Sequence, residues 1–279
     1  MPKPKVGFGI CTYGHQPPQF WLPYAEAVFS LEKFGIDYDR TYWAGTSFLD
    51  VNRNIVADMW LEANRSEWLF WVDSDNPPNP AVLRALLDLD RPLVSGIYYS
   101  ATGPGGKYTP ISYVRDGETG LYRPLSELGW AKGEILQVDV GGMGCFLTHR
   151  DVYLDIIKEY EVYIRESGGS LVIRKDQVQG EVPEKATAHP YAGKLKKGLY
   201  YEPVVQLPEA TTEFPFFMKE FLKSEDVHFC KLARDIGYEI WVDTSLEVGH
   251  HKEWTITGGE FRDMDRPDAT PRERNLDGT

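Results

Sequence analysis

Two carboxylates one residue apart, Asp73 and Asp75, close the apolar run of WLFWVDSDNPPNP (68–80). Negative charges this close repel one another unless a cation or hydrogen-bond donors stand between them. Hard carboxylate oxygens so placed suit Mn2+ or Mg2+, which keep positions open for phosphate oxygens. The same string also reads as a plain turn, because Asp and Asn side chains bond nearby backbone. A second acidic pair, Glu225-Asp226, follows Ser224 at the head of SEDVHFCKLARDIG (224–237). Acidic residues there complement the positive end of a helix. GGMG (141–144) is a tight turn or a place of close backbone approach, and with no G-K-[ST] after it, it is not a P-loop. VGHH (248–251) sets two histidines after the last strand-like segment, as surface or packed residues unless their neighbours make them ligands.

The elements that position these residues follow from periodicity. KVGFGICTY (5–13) predicts a strand, ending in the loop GHQPPQ. A helix is expected over about 19–34, with Ala25, Val28, Phe29 and Leu31 inward and Gly35 as its stop. YDRTYWAG (38–45) is a weaker strand. In the next segment Val51, Ile55, Met59 and Glu62 recur at helical spacing, and Val56 and Trp60 widen the stripe. WLFWV (68–72), AVLRALLDL (81–89) and RPLVSGIYY (91–99) continue as strand, helix and strand. This alternation predicts a parallel, helix-covered sheet. Ligands of such sheets gather beyond the carboxyl ends of the strands, where Asp73 and Asp75 fall.

Short strand-like runs between Gly and Asp turns from 107 to 140 predict an antiparallel patch, and CFLTHRDVYLDIIKEY a strand end followed by a helix. Residues 166–212 show little periodicity and are expected to form a functional loop, lid or insertion. Ser224 is the expected cap of the helix that Gly237 ends, YEIWVD (238–243) is a strand, and the residues after VGHHKEW read as a loosely held tail.

Bulk properties narrow the function. At 279 residues, 42% hydrophobic and 26% charged, the chain is globular, with room for one large domain or two small ones. A net charge of −12 opposes a broad nucleic-acid or anionic-membrane surface, and GKLKKG (193–198) with RKD (174–176) is the only basic hint. There is no apolar run of about eighteen residues and no secretory signal, so a non-exported, cytoplasmic protein without a membrane anchor is expected, suiting a virus or a bacterial cytoplasm. Cys11, Cys145 and Cys230, odd in number and far apart in apolar contexts, read as buried thiols.

Taken in order, RN (53–54), FWVDSDNPPNP (70–80), VDVGGMGCFLTHRDV (138–152), SEDVHFCKLARDIGYEIWVD (224–243) and VGHH (248–251) resemble nucleotide-sugar-dependent glycosyltransferases of the GT-A fold, in their large family 2-like group. The resemblance spans roughly residues 5–251 and leaves 166–212 and the tail 252–279 unmatched. It implies a Rossmann-like α/β fold, a mostly parallel central sheet flanked by helices with a smaller antiparallel patch, in one domain covering 1–251.

By position, Asp73-Ser74-Asp75 looks like the family's D-x-D motif. Asp75 would then ligate Mn2+ or Mg2+ directly, and Asp73 would contact the ribose or reach the metal through water. His250 resembles the third metal ligand, with His251 the alternative. Thr12 and Tyr13 occupy the nucleotide-binding position. Arg53, otherwise part of a solvated helix face, would contact the diphosphate or the D-x-D carboxylates. Gly142 would let backbone approach the donor sugar or acceptor. Asp226 would be the base of an inverting transfer, with Glu225 orienting the acceptor. Asp139 is a sugar-hydroxyl ligand or a satisfied strand-end carboxylate.

The implied donor is a UDP- or GDP-linked sugar, and the acceptor a glycan, a protein or a modified nucleic acid. The chain departs from the family pattern after the second strand, where WAGTSF stands in place of an acidic pair, which leaves the identity of the base open. The aromatics of FPFFM (214–218) are each expected to be core, while any that is exposed has a face suited to stacking on sugar or base. Two other readings compete. A nucleotidyltransferase making nucleotide-sugars would carry a Gly-rich, basic first loop, which CTYGHQPPQF is not. A non-catalytic nucleotide- or carbohydrate-binding module would tolerate loss of the base.

Overall fold

The computed structural model describes residues 2–12, 18–46, 48–101, 108–164, 170–177, 214–219 and 224–249. Along the chain lie β1 (Lys5–Cys11), α1 (Pro18–Ser30), β2 (Asp37–Ala44), α2 (Leu49–Ala63), β3 (Trp68–Asp73), α3 (Pro80–Asp88) and β4 (Leu93–Ile97). The middle region contributes β5 (Tyr99–Ala101), β6 (Tyr108–Pro110), β7 (Ser112–Arg115), β8 (Tyr122–Pro124), β9 (Ile135–Val138) and β10 (Val140–Gly141). Then follow β11 (Cys145–His149), α4 (Arg150–Glu159), β12 (Tyr160–Ile164), β13 (Ser170–Arg174), α5 (Glu225–Asp235) and β14 (Ile240–Glu247).

Seven strands form one sheet in the order β2-β1-β3-β11-β4-β14-β9. Neighbours β2/β1, β1/β3 and β4/β14 are parallel, whereas β11 runs antiparallel to both β3 and β4, and β9 antiparallel to β14. The mostly parallel α/β sheet expected from the alternation is therefore present, flanked by helices and accompanied by small antiparallel sheets β10-β7-β8, β5-β6 and β12-β13. Two features were not legible in the alternation: β11 inserts antiparallel into the middle of the sheet, and β9 leaves the antiparallel patch to pair with β14. β13 also falsifies part of the loop expected over 166–212, since Ser170–Arg174 pairs with Tyr160–Ile164. Residues 166–169 and 178–212 lie outside the described residues, as does the tail.

Strand alternation sends side chains to two cores, one on each face. Along β3, Leu69 and Trp71 join Val56, Trp60, Tyr153 and Phe229 on one side, while Phe70 and Val72 join Phe8, Phe20, Leu83 and Leu86 on the other. Trp71 Nε1 donates to Tyr153 Oη at 2.9 Å, so the largest buried ring of the strand keeps its polar handle satisfied. α3 starts with Pro80 at its first position and Asn79 accepting from the Ala81 N–H at 2.9 Å. Gly35, at φ 70°, and Gly237, at φ 101°, stop their segments as expected.

Three local expectations fail. The first helix ends at Ser30, and Leu31–Phe34 tighten into a 3-10 turn; its inward residues are Phe20, Tyr24, Ala27 and Leu31, and Phe29 is 86% exposed. The hydroxyl of Ser224 makes no capping bond to α5. Along α2, Val56 and Trp60 are buried and Met59 packs against the core as expected, but in the first turns the face is reversed: Val51 and Ile55 are exposed, and Asn52 and Arg53 are buried beside Ala57 and Leu61. Apolar periodicity misses a helix whose inward face carries polar residues with partners waiting elsewhere in the fold.

This reversal predicts that Ile55→Ser changes stability by no more than about 0.5 kcal/mol while Val56→Ala costs about 2 kcal/mol, measured by urea unfolding. The opposite order would contradict the observed face.

Candidate active site

Three elements bring the acidic motifs to one place. β3 pairs with β1 in parallel so that Asp73 lies opposite Cys11, at the carboxyl ends of both strands. α2 leads Arg53 in from one side, and α5 starts beside them with Glu225 and Asp226 in its first turn. Arg53 is the centre of this cluster and is only 1% exposed. Its Nη2 donates to Asp73 Oδ1 at 3.0 Å and its Nε to Glu225 Oε1 at 3.2 Å, with Asp226 Oδ1 at 3.6 Å from Nε. The guanidinium lies over the Trp71 ring, 5.7 Å from its centroid. Arg53 Nη1 is buried and has no hydrogen-bond partner among the described residues.

The electrostatics are lopsided. Burial alone would lower the Arg53 pKa, but Asp73, Asp226 and Glu225 around it hold it well above its ordinary value. Burial pushes Asp73 up, Arg53 opposes this, and Asp75 adds to it. Burial also drives Asp226 well above the carboxylate range, reinforced by Glu225 and Asp73 against the pull of Arg53. Glu225 resists the same burial because Arg53 and a side-chain hydrogen bond with Asp226 hold it below its usual value. Three carboxyl groups, Asp73, Glu225 and Asp226, face one guanidinium, and the charge of Asp75 acts on Asp73. Such a set attracts cationic charge.

The D-x-D segment is a turn as well, closed by the Asn76 N–H donating to the Asp73 carbonyl at 2.9 Å. Asn76 is fully buried, and its Nδ2 donates to the Gly249 carbonyl at 3.0 Å, while the Val248 N–H donates to the Ile97 carbonyl at 2.9 Å. The backbone that leads directly into His250 is thus fastened to the Asp73–Asn76 turn. His250, His251 and Tyr13 lie outside the described residues. Among the described residues, no three His, Cys, Asp or Glu side chains converge as a complete metal centre.

Thr12, the other expected nucleotide contact, is buried at the end of β1. Its N–H donates to the Ala44 carbonyl at 3.1 Å and its carbonyl accepts from Asn52 Nδ2 at 3.0 Å. The same Asn52 accepts from the Thr46 N–H at 2.7 Å and donates to the Thr46 carbonyl at 3.3 Å. Asn54 exchanges two bonds with Phe217, donating to its carbonyl at 2.7 Å and accepting from its N–H at 2.9 Å. Sequence reasoning missed Asn52 and Asn76 as positioning residues and treated Asn54 only as part of Arg53-Asn54. The signal available was their adjacency to the acidic and basic motif residues.

Some assigned roles change. Arg53 belongs to no solvated face. Phe214, Phe216 and Phe217 are 2%, 0% and 1% exposed, and Phe217 stacks on Phe229 with centroids 4.9 Å apart, so they are core and offer no face to a sugar. Asp139 is a satisfied carboxylate that accepts from the Arg115 N–H and pairs with Arg234. Packing also requires glycine at positions 142 and 144. A Cβ at Gly142 would strike the Tyr98 hydroxyl and lie 2.6 Å from Ile111 Cγ2, and one at Gly144 would lie 2.7 Å from Asn76 Oδ1. The Gly144 N–H donates to Tyr98 Oη at 3.0 Å, so GGMG lets Tyr98 and Asn76 fit beneath the D-x-D turn. All three cysteines are buried and free, and burial raises Cys11 and Cys145 to about 12.

No family model matches the chain and no curated protein matches its sequence. Among solved structures it is similar to A197 from STIV, at 17% identity over 90% of this chain and 86% of that one, with a TM-score of 0.45. It is similar to GalNAc-T7 in a structure with UDP, GalNAc and Mn2+, at 11% identity, 90% and 44% coverage, and a TM-score of 0.41. A third similarity is to a glycosyltransferase involved in the glycosylation of the major capsid of PBCV-1, at 13% identity, 53% and 61% coverage, and a TM-score of 0.27. All three TM-scores are below 0.5, so the functional reading rests on this chain's own residues.

The raised pKa of Asp226 has a stability consequence. The folded chain holds a proton that the unfolded chain releases, so this contribution is complete below the ordinary carboxylate range and is lost as pH rises through the raised folded value. In metal-free buffer Asp226→Asn is therefore expected to be more stable than the wild type near neutral pH. The difference should vanish at about pH 4. Unfolding midpoints measured against pH check this.

Proposed function

We propose that the chain is a metal-dependent glycosyltransferase that moves a sugar from a UDP- or GDP-linked donor to an acceptor hydroxyl, with residues 1–251 acting as one catalytic unit. The observation that supports this best is the cluster in which Arg53 meets Asp73, Glu225 and Asp226 at the carboxyl ends of parallel strands. No helix of the described residues is long and apolar enough to cross a membrane, which fits a site that meets its substrates in water.

The donor set fits a hard divalent cation. Asp75 and Asp73 would hold Mn2+ or Mg2+ through carboxylate oxygens, and His250, one residue beyond the tethered Gly249, would be the third protein ligand. When bound, such a cation neutralises the charge that develops on a departing nucleoside diphosphate. The chain's own residues do the rest. Arg53, fixed by three carboxyl groups, orients Asp73 and has Nη1 left to donate to an anionic oxygen. Thr12 and Tyr13 would meet the nucleoside beyond the end of β1.

Asp226 would act as the base in its ionised form. A buried carboxylate with a raised pKa accepts a proton more readily than an exposed one, and its place on the first turn of α5 makes its position rigid. Glu225, held ionised by Arg53, would orient the acceptor hydroxyl. In-line attack by that oxygen on the anomeric carbon breaks the bond to the diphosphate, transfers the hydroxyl proton to Asp226, and inverts the anomeric centre. Glycans, proteins and modified nucleic acids all present the hydroxyl this chemistry needs.

A thermal-shift series with UDP, GDP and their sugar conjugates, with and without Mn2+, tests the reading. A ligand at a hundred times its dissociation constant adds about 2.7 kcal/mol to the folded state. Stabilisation by one nucleotide class is expected to require the metal and to disappear in Asp75→Ala; no shift with any of them would contradict the proposal. With the donor found, Asp226→Asn should retain donor binding and lose about a hundredfold to ten-thousandfold in turnover. Unchanged turnover would move the base elsewhere.

A further inference from the structure

We propose that the edge of the main sheet formed by β2, with the outer flanks of α1 and α2, is the interface of a two-fold dimer of this chain.

The edge is open. β2 is the first strand of the seven-stranded sheet, and among the described residues its one neighbour is β1. An edge strand leaves a row of backbone N–H and C=O groups available to another chain. Helices flank it on both faces. Tyr24 of α1 bonds Thr41 of β2 and packs on Phe8 with ring centroids 6.0 Å apart, and α2 packs on β1 and β2 from the other side.

Each helix turns an apolar flank outward along this edge. Pro23, Ala27 and Ser30 of α1 line a cleft against Pro77–Pro80, and helical rotation puts the exposed Trp21, Leu22 and Phe29 on the other flank. On α2, Arg53 and Asn54 reach inward to Glu225 and Phe217, which leaves Phe48, Val51 and Ile55 outward. Trp43, paired with Ile10, stands exposed on the α1 face of β2. Among the described residues eleven large apolar side chains are exposed, and seven of them stand along this one edge. With about 150–250 Å² on each aromatic side chain, exposures of 38% to 86% leave roughly 700–900 Å² of apolar surface there. The largest patch on an ordinary monomer is about 300–600 Å², whereas a stable interface takes about 800 Å² from each partner.

A second copy fits this surface because the surface is its own complement. Rotation about a two-fold axis normal to the sheet sets β2 antiparallel to β2 and keeps each helix on its own face. The flank of α1 then meets the same flank of the partner's helix, and α2 does likewise, apolar against apolar. The register of β2 slips opposite Gly7, where Asp39 and Arg40 stand between the Tyr38–Val6 and Thr41–Phe8 pairs. The middle of β2 therefore carries one charge of each sign, and the two-fold axis gathers two of each in balance. Such a bulge also disfavours open-ended strand addition, which closes the assembly at two. In dilute, monomeric solution Ile55 has no partner to lose, so its unfolding there is that of an exposed residue.

Light scattering on size-exclusion fractions of the full-length chain, over a wide range of concentrations, provides the test. The wild type is expected to reach twice the 31.8 kDa of one chain. Phe29→Glu and Ile55→Glu stand on different helices and should each keep wild-type circular dichroism while raising the dimer dissociation constant about a hundredfold. Leu121→Glu, at an exposed apolar residue away from this edge, should leave the dimer intact. Hydrogen exchange of the wild type needs no variant: residues 37–44 should gain protection as concentration rises. A wild type that is monomeric at every concentration overturns the proposal, and a lowered melting point of monomeric Phe29→Glu would then mark the face as covered by the chain itself. A dimer that survives both substitutions, or one dispersed by Leu121→Glu, overturns it as well.

Discussion

A single buried guanidinium holds the candidate site together. Arg53 ties α2 to Asp73, 20 residues away, and to Glu225, 172 residues away. Removing either kind of partner leaves charge stranded in a low-dielectric interior, and breaking such a pair costs about 3–5 kcal/mol. The arrangement is not neutral in itself, because the carboxyl groups outnumber the one cation. Burial, with Glu225 and Asp73, raises the Asp226 pKa against the pull of Arg53. A fold optimised only for stability would replace such a cluster with apolar groups, and perturbed carboxyl groups gathered in this way mark a candidate functional site.

Buried asparagines do for the backbone what Arg53 does for the charges. Asn52 joins the ends of β1 and β2, Asn54 anchors the segment carrying Phe217, and Asn76 binds the D-x-D turn to Gly249. Each spans distant segments with bonds of about 3 Å to main-chain groups that would otherwise need water. The consequence is a rim of strand ends that does not have to be organised when a ligand arrives, and preorganised donors and acceptors are what electrostatic catalysis demands.

Much of the fold was legible because apolar periodicity reports burial directly: β1, β3, α3 and α5 fall where their patterns put them. The carboxylate motifs were legible for a related reason, since paired acidic residues at a strand end or helix start are costly without a purpose. What escaped was decided by long-range partners. The inward face of α2 is polar in part, so Val51 and Ile55 gave a false stripe, and Arg53 and Asn52 look solvated until Asp73, Glu225 and Thr12 are brought to them. The antiparallel insertion of β11 depends on which edges of β3 and β4 are left open, a property of the sheet and not of CFLTH. The phenylalanines of FPFFM are core, the reading the sequence favoured for each, although aromatics serve core and ligand alike; Asn54 and Phe229 draw them inward.

The central claim is that the Arg53-centred cluster is where a divalent cation and a nucleoside diphosphate meet. A crystal structure of the full chain grown with Mn2+ and a nucleoside diphosphate, with the metal located by its anomalous scattering, addresses it directly. The account predicts an anomalous peak on Asp75, with the diphosphate oxygens beside it and Arg53 still paired to Asp73. A peak at any other place in the protein, or a bound nucleotide distant from Arg53, would contradict it.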